Sequence, residues 1–265
     1  MTAHDTSSHH PAVDPRPPLT PEEATALELA ARIEPFDSFW EGPEEVESGY
    51  ARFAQFYRVN YLRHLPEDPE SRVLVVSCGP GYFVDMLRKR GWRHVIGIDS
   101  FPDKVAHARN RGLDCRVARA FPFLAEHRES FDAIVCEQEL NHLTKEEMRL
   151  FLTLVRAALK PGGTLIVHGL NGANPIVGAE TLAQNIDHFN TFTEYSLRQV
   201  LSYANFTDIE VFPLHLYVFY KNPMNYVAWG ITAMFHLLFR ACFILYGKSN
   251  RLFTKKIGAV AKKPA

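Results

Sequence analysis

The chain has 265 residues, 46% of them hydrophobic, and a formal net charge of −1 at pH 7. This length suffices for one large domain with a complete core. The nearly neutral charge gives no overall electrostatic footprint for nucleic acid, so no nucleic-acid partner is expected. The cysteines show neither metal-ligand spacing nor a disulfide pattern, which predicts no metal site; they are Cys78, Cys115, Cys136 and Cys242.

Residues 1–20 are rich in proline, histidine, serine and aspartate, which predicts a disordered tail. The tail has no basic patch followed by an apolar run, so we expect no secretory signal and a cytoplasmic location. Thr20 and Pro21 then form a helix start, and residues 21–66 are interpreted as an amino-terminal helical cap. Its second predicted helix, residues 46–64, carries Tyr50, Phe53 and Tyr57.

Residues 72–99 contain the segment around which the rest of the chain is organised. A valine-rich strand over 72–77 runs into a turn with Gly79 and Gly81, a helix over 82–90 and a second strand that ends at Asp99. Strand, glycine turn, helix, strand and acid together are typical of the nucleotide-binding half of a doubly wound α/β sheet. The glycines allow close approach of the backbone to a ligand, and Asp99 is positioned to accept hydrogen bonds from ribose hydroxyls.

Strands and helices alternate through the middle of the chain, which predicts a parallel sheet with right-handed crossovers. Further strands are predicted at 114–117, 131–136, 164–168 and 208–212, and further helices at 102–111, 144–159 and 194–203. Thr144 and Glu147 form a capping box at the start of the 144–159 helix.

The glycine turn lacks the third glycine of the dinucleotide fingerprint, because Val84 stands in its place. A nicotinamide-dependent dehydrogenase is therefore disfavoured. The turn, Asp99 and three later stretches resemble the class I S-adenosylmethionine-dependent methyltransferases; those stretches are Phe131–Cys136, Leu140–Leu143 and Leu159–Val167.

This resemblance implies a doubly wound, mostly parallel seven-stranded sheet, with S-adenosylmethionine as cofactor. It also implies that the amino-terminal helices cover the cofactor and acceptor pocket, whereas the residues by themselves favour simple packing of the aromatic side chains on the sheet. Mapped onto this sequence, the cofactor-binding positions implied are Ser77, Gly79, Gly81, Asp99, Ala120 and Glu137.

A later stretch resembles a subset of these enzymes associated with polysaccharide and lipopolysaccharide modification; it contains His188, Phe192, Thr193, Ser196 and Leu197. The subset implies O-methyl transfer to a hydroxyl of a glycan or lipid-linked sugar. A quinone, a lipid or a small metabolite stays open as an alternative acceptor.

Ligands of open α/β sheets bind at the carboxyl ends of the strands, and three histidines are candidates there: His142 just past the fourth strand, His168 at the end of the fifth, and His188 in the loop before Phe192. A hydroxyl acceptor benefits from a general base, and His142 after the fourth strand is the first candidate. His188 is the second candidate and His168 the third, in each case against the alternative that the ring only satisfies backbone groups.

Three positions depart from the resemblance. Val75 and Ser77 stand where the family usually has an acid and a glycine, and Arg119 stands where it usually has an acid near the adenine. A second hypothesis follows from these departures, in which the fold is retained but activity is lost and the protein acts as a partner or scaffold.

Residues 225–246 are almost free of charge, and they are followed by Lys248, Arg251, Lys255 and Lys256. Residues 255–261 are similar to the closing antiparallel strand of the family, so residues 223–253 form a helical insertion in a methyltransferase domain comprising 67–222 and 254–265. A transmembrane span is disfavoured because the closing strand must return to the same sheet. The remaining interpretations are a helix at the membrane surface, a lid over the substrate site, a homodimer contact or plain packing.

Overall fold

The computed structural model describes residues 43–136, 139–183, 188–215 and 223–265. The tail over 1–20, the helix that begins near Thr20 and the cofactor position Glu137 lie outside these described residues.

A single sheet of seven strands forms the centre of the domain, in the order β3-β2-β1-β4-β5-β7-β6. All neighbouring pairs are parallel except the two made by β7, which runs antiparallel to β5 and β6. The doubly wound, mostly parallel seven-stranded fold predicted from the sequence is therefore confirmed. The strands are β1 (Arg72–Val76), β2 (His94–Asp99), β3 (Cys115–Val117), β4 (Phe131–Cys136), β5 (Leu159–Leu170), β6 (Thr207–Pro213) and β7 (Lys256–Lys262).

Eight α-helices of the described residues accompany the sheet: α1 (Pro43–Asn60), α2 (Tyr82–Lys89), α3 (Pro102–Asn110), α4 (Ala120–Glu126), α5 (Lys145–Ala158), α6 (Gly178–Ala183), α7 (Glu194–Tyr203) and α8 (Met224–Leu245). Successive side chains of β1 alternate between two apolar cores, as a pleated strand buried on both faces requires. Leu74 and Val76 face a core built with α4, α5 and α7, whereas Val73 and Val75 face a core built with α1, α2 and α3.

Local sequence signals explain several helix boundaries. The Thr144 hydroxyl accepts the Glu147 N–H while the Glu147 carboxylate accepts the Thr144 N–H, so the predicted capping box is confirmed. Thr193 and Ser196 make the same exchange at the start of α7. The short helices α4 and α6 were not predicted.

One prediction about β5 is corrected. The sequence predicts that this strand begins at residue 164, but β5 begins at Leu159 and continues through Pro161, Gly162 and Gly163. Gly162 has a φ of 73°, and its N–H donates to the carbonyl of Lys263. The left-handed residue allows the chain to bend while the ladder with the carboxyl-terminal segment continues.

The insertion between the last two strands is the 22-residue helix α8. Since β6 runs parallel to β5 and both pair antiparallel with β7, the end of β6 and the start of β7 lie at the carboxyl edge of the parallel strands. Helix α8 belongs to the connection between these two points, so the insertion starts and ends at the edge where α/β sheets bind their ligands.

Candidate functional site

The glycine turn lies at the carboxyl end of β1 and has the open geometry that a ligand requires. Gly79 has a φ of 53°, and a side chain built there would meet no atom within 4 Å, so free space faces the backbone. Gly81 has a φ of 82° and a different role, because a side chain there would lie 2.9 Å from Leu113 and 3.0 Å from Ala108. Gly79 therefore leaves open space beside the turn, and Gly81 allows the turn to pack on α3.

Asp99 ends β2 beside this turn and is held rigidly by the backbone. Its Oδ2 accepts the Gly79 N–H at 2.9 Å, and its Oδ1 accepts the Phe101 N–H at 2.9 Å. Burial raises the pKa of the Asp99 carboxyl, and the two N–H donors from Phe101 and Gly79 oppose that rise. Each carboxylate oxygen has further lone-pair capacity, which two ribose hydroxyls can use.

The residues present fit an adenosine cofactor with no pyrophosphate. The space facing Gly79 is adjacent to the oriented Asp99 carboxylate, and the chain after β3 continues this edge, since the Ala118 N–H donates to the Asp99 carbonyl. Ala120 follows as the first residue of α4. Ser77, Gly79, Gly81, Asp99 and Ala120 thus lie along the ends of three adjacent strands.

The three departures from the family pattern have distinct environments. Ser77 is exposed at the end of β1 and adopts a φ of 55°, which explains why glycine suits this position. Val75 is buried in the core beneath α1 and α2, so its side chain packs within the fold. Arg119 is an exposed residue that directly precedes α4.

His142 and His188, the two leading candidates for the general base, are in contact. Their ring centroids are 4.9 Å apart, and the ring planes meet at 64°. Nδ1 of His188 lies 2.7 Å from the Thr181 carbonyl oxygen. Because a carbonyl can only accept, the proton is on Nδ1, and the Nε2 of a neutral His188 carries the lone pair.

Asn141 joins the two segments that carry these histidines. Its backbone carbonyl accepts the N–H groups of Phe189 and Asn190, and its side-chain Oδ1 accepts the Leu170 N–H at the end of β5. Asn141 is fully buried. Neither Asn141 nor Thr181 was predicted from the sequence; for Asn141 the one available signal was its place as a polar residue directly before His142.

The third candidate base, His168, lies inside the fold and away from the site. It is 2% exposed and shares a hydrogen bond with the hydroxyl of Tyr61 on the α1 side of the sheet. Burial, with a smaller contribution from Lys256, lowers the pKa of His168 well below its usual value. His168 therefore fits a structural role, as a hydrogen-bond partner of a buried polar group, better than a role in proton transfer.

Tyr50 links helix α1 to the glycine turn by a hydrogen bond. From the sequence alone its role could be either to cover the pocket or to pack on the sheet. The Tyr50 hydroxyl donates to the Pro80 carbonyl at 2.6 Å, and burial raises its pKa to about 12. The Arg111 guanidinium lies 3.9 Å from the centre of the Tyr50 ring and pairs with Glu47 and Asp85. Tyr50 and Tyr57 are buried in the core beneath α1, so α1 combines aromatic packing with a direct hold on the turn.

A largely apolar cavity of about 380 Å³ lies at the other half of the carboxyl edge. Its walls come from the segments after β5 and β6, the segment before β7 and the inner face of α8, and include Val177, Leu214, Phe239 and Phe253. In the strand order, β4 lies between β1, which carries the glycine turn, and β5. The strand that precedes His142, β4, therefore lies between the strand that carries the glycine turn and the strands that frame this cavity.

Comparison with known proteins agrees with this architecture. A family model described as a methyltransferase domain matches residues 50–211. The ubiquinone biosynthesis O-methyltransferase of Xanthomonas campestris is 35% identical in an alignment of 141 positions that covers 48% of this chain and 56% of that protein. The protein of the same name from Xylella fastidiosa is 33% identical in an alignment of 120 positions that covers 43% of this chain and 48% of that protein. The chain thus spans about half the length of the curated relatives it matches.

Solved structures share the fold. An S-adenosylmethionine-dependent methyltransferase from Archaeoglobus fulgidus covers 82% of this chain and 94% of its own with a TM-score of 0.59 at 19% identity. The Haemonchus contortus phosphoethanolamine N-methyltransferase 2, in complex with S-adenosyl-L-methionine, covers 86% of this chain and 61% of its own, with a TM-score of 0.51 at 14% identity. With the family model spanning more than half of its residues, the chain belongs to the class I S-adenosylmethionine-dependent methyltransferases.

Proposed function

We propose that this protein transfers a methyl group from S-adenosylmethionine to a hydroxyl of an apolar acceptor, such as a phenol or quinol. The observation that carries the proposal is the contact between His142 and His188, on a sheet edge that has the glycine turn on one side and an apolar cavity on the other.

The chemistry divides between cofactor and protein. S-adenosylmethionine supplies an activated methyl group that leaves its sulfonium in an in-line displacement. The chain's residues hold the reactants in place, which accounts for most of the rate enhancement in such a reaction. Gly79 and Asp99 hold the adenosine, and the histidine pair accepts the proton that the acceptor hydroxyl loses as its oxygen–carbon bond forms. The Thr181 carbonyl keeps the His188 proton on Nδ1, so Nε2 is the atom that takes up the new proton.

Two observations favour an apolar acceptor over a sugar. The cavity walls are mostly aliphatic and aromatic, whereas a glycan requires several hydrogen-bonding groups around its hydroxyls. The named relatives act in ubiquinone biosynthesis, and ubiquinone is a quinone. The glycan acceptor expected from the resemblance has no comparable support.

Methyl transfer from labelled S-adenosylmethionine to matched acceptors tests the proposal. We expect a short-chain alkyl catechol or quinol to yield a methyl ether and one equivalent of S-adenosylhomocysteine, detected by mass spectrometry. A sugar acceptor of similar size should yield none. Transfer to the sugar but not to the quinol would restore the glycan hypothesis. Tight cofactor binding without transfer to any hydroxyl would favour the scaffold hypothesis.

A further inference from the structure

Helix α8 has an apolar surface that the folded domain leaves uncovered. It is 22 residues long, contains no buried residue and reaches a mean hydropathy of 1.6, so by length and composition it could cross a membrane. A helix that is apolar around its circumference is normally buried in a core or in lipid. Its exposure therefore requires an occupant for this surface.

The two sides of α8 have different surroundings. On the inner side, Phe239 and Phe243 contact the ring of Phe253, with ring centroids 6.0 and 4.7 Å away. The outer side carries exposed apolar residues at helical spacing, which we call the outer stripe: Val227, Ile231, Met234, Leu238 and Leu245. The inner contacts hold the helix on the domain, and the outer stripe faces away from it.

Charge identifies the kind of occupant. From Met224 to Ala265 the sequence contains no aspartate or glutamate. The exposed cations Lys248, Arg251 and Lys255 follow the helix. A symmetric contact with a second copy would bring two such acid-free segments together, whereas an anionic lipid surface attracts them. Two exposed tyrosines, of the kind found at headgroup depth, lie near the two ends of the helix: Tyr226 and Tyr246.

We propose that α8 is a bilayer-docking helix that lies in the plane of an anionic membrane, with the outer stripe at the boundary between headgroups and acyl chains. A single crossing is disfavoured because the strands before and after α8, β6 and β7, pair side by side and meet at the same edge of one sheet. The inner side of the same helix lines the apolar cavity. Docking would thus place the opening of that cavity at the lipid surface, from which an apolar acceptor can enter.

Co-sedimentation of the full chain with vesicles tests this inference without cofactor or acceptor, so its outcome is independent of the proposed function. We expect binding to vesicles of phosphatidylcholine and phosphatidylglycerol in equal parts, weaker binding to phosphatidylcholine alone, and weakening with salt. Each cation near an anionic surface contributes about fivefold in partitioning. The variant Lys248→Gln/Arg251→Gln/Lys255→Gln should therefore lose about a hundredfold on the anionic vesicles.

The outer stripe is tested by the double variant Ile231→Glu/Leu238→Glu, whose two positions are about two helical turns apart; it should abolish binding to both vesicle types. Tyr203→Glu is the matched control, since Tyr203 is 73% exposed at the end of α7 and remote from α8 in the chain. It should bind vesicles as the wild type does. Circular dichroism and unchanged S-adenosylmethionine affinity verify that the variants fold. The inference would be overturned if the wild type bound neither vesicle type, or if the folded stripe variant still bound. It would also be overturned if the wild type bound no vesicles but formed a dimer that the stripe substitutions dissociated.

Discussion

The imidazole rings of His142 and His188 meet at 4.9 Å although α5, β5 and α6 separate them in the chain. The contact depends on Asn141, whose carbonyl binds the N–H groups of the two residues after His188. Only one of the two histidines follows a strand directly. The other is brought to the sheet edge by a loop, and the Thr181 carbonyl orients its ring.

Replacing either histidine should affect catalysis more than cofactor binding. We expect His142→Gln and His188→Gln each to lower kcat by about 10²- to 10⁴-fold, the usual contribution of a general base. The affinity for S-adenosylmethionine should stay within about twofold of wild type, because Gly79 and Asp99 are untouched. His94→Gln is the matched control, since His94 is exposed at the amino end of β2. Full activity in both site variants would remove the pair from the mechanism.

Substitutions of Ser77 test whether the stability of the fold depends on the backbone conformation or on the side chain at the end of β1. A non-glycine residue at a φ of 55° is strained by about 1–2 kcal/mol. We expect Ser77→Gly to be more stable than Ser77→Ala by about 1 kcal/mol in urea denaturation, since alanine keeps the strain and removes only the hydroxyl. Equal stability of the two variants would show that position 77 does not need a left-handed residue in solution.

Val75→Asp would restore the acid that the family usually has at this position, but the substitution is expected to change stability before it changes cofactor binding. Val75 is 1% exposed within an apolar core, and a carboxylate there would be buried without a partner. We expect a loss of about 3 kcal/mol or more in the free energy of unfolding, against about 2 kcal/mol for Val75→Ala. Arg119→Asp, at an exposed position, should leave stability within about 0.5 kcal/mol. A stable Val75→Asp protein would mean that this face of β1 is more polar than its neighbours indicate.

His168 makes stability depend on pH. Its pKa is lowered well below 6.5 by burial, so below about pH 6.5 the unfolded chain binds a proton that the folded chain does not. Stability should therefore fall as pH falls through this range, with this residue contributing up to about 1.4 kcal/mol per pH unit. The variant His168→Gln keeps a hydrogen-bonding group for Tyr61. It should reduce the slope of the unfolding free energy against pH by the equivalent of about one proton. Denaturation curves at a series of pH values measure this, and an unchanged slope would contradict it.

The sheet could be predicted because its signals are local. The valine-rich run over 72–76, the capping box at Thr144 and the acid that ends β2 each act within a few residues. The closing strand after α8 was also predicted, from its resemblance to the family, and it pairs with β5 and β6.

The side-chain arrangement of the site was less accessible to sequence reasoning. All three candidate histidines are near predicted strand ends or in a loop. The side chain of His168 nevertheless faces the interior, whereas the rings of His142 and His188 contact each other at the carboxyl edge of the sheet. The direction of a side chain near a strand end depends on register, and a single residue's shift reverses it. The hold of Tyr50 on the Pro80 carbonyl depends on packing between distant elements, which periodicity does not encode.

Calorimetric titration with S-adenosylmethionine and S-adenosylhomocysteine tests the central claim most directly. The account predicts saturable one-to-one binding of both, weakened at least about tenfold by Asp99→Asn, whose amide would set an N–H donor against the N–H of Gly79 or Phe101. Asp103→Asn, at an exposed position on α3, should bind as the wild type does. No binding of either compound at about millimolar concentration, which corresponds to about 4 kcal/mol, would contradict a methyltransferase that uses this site.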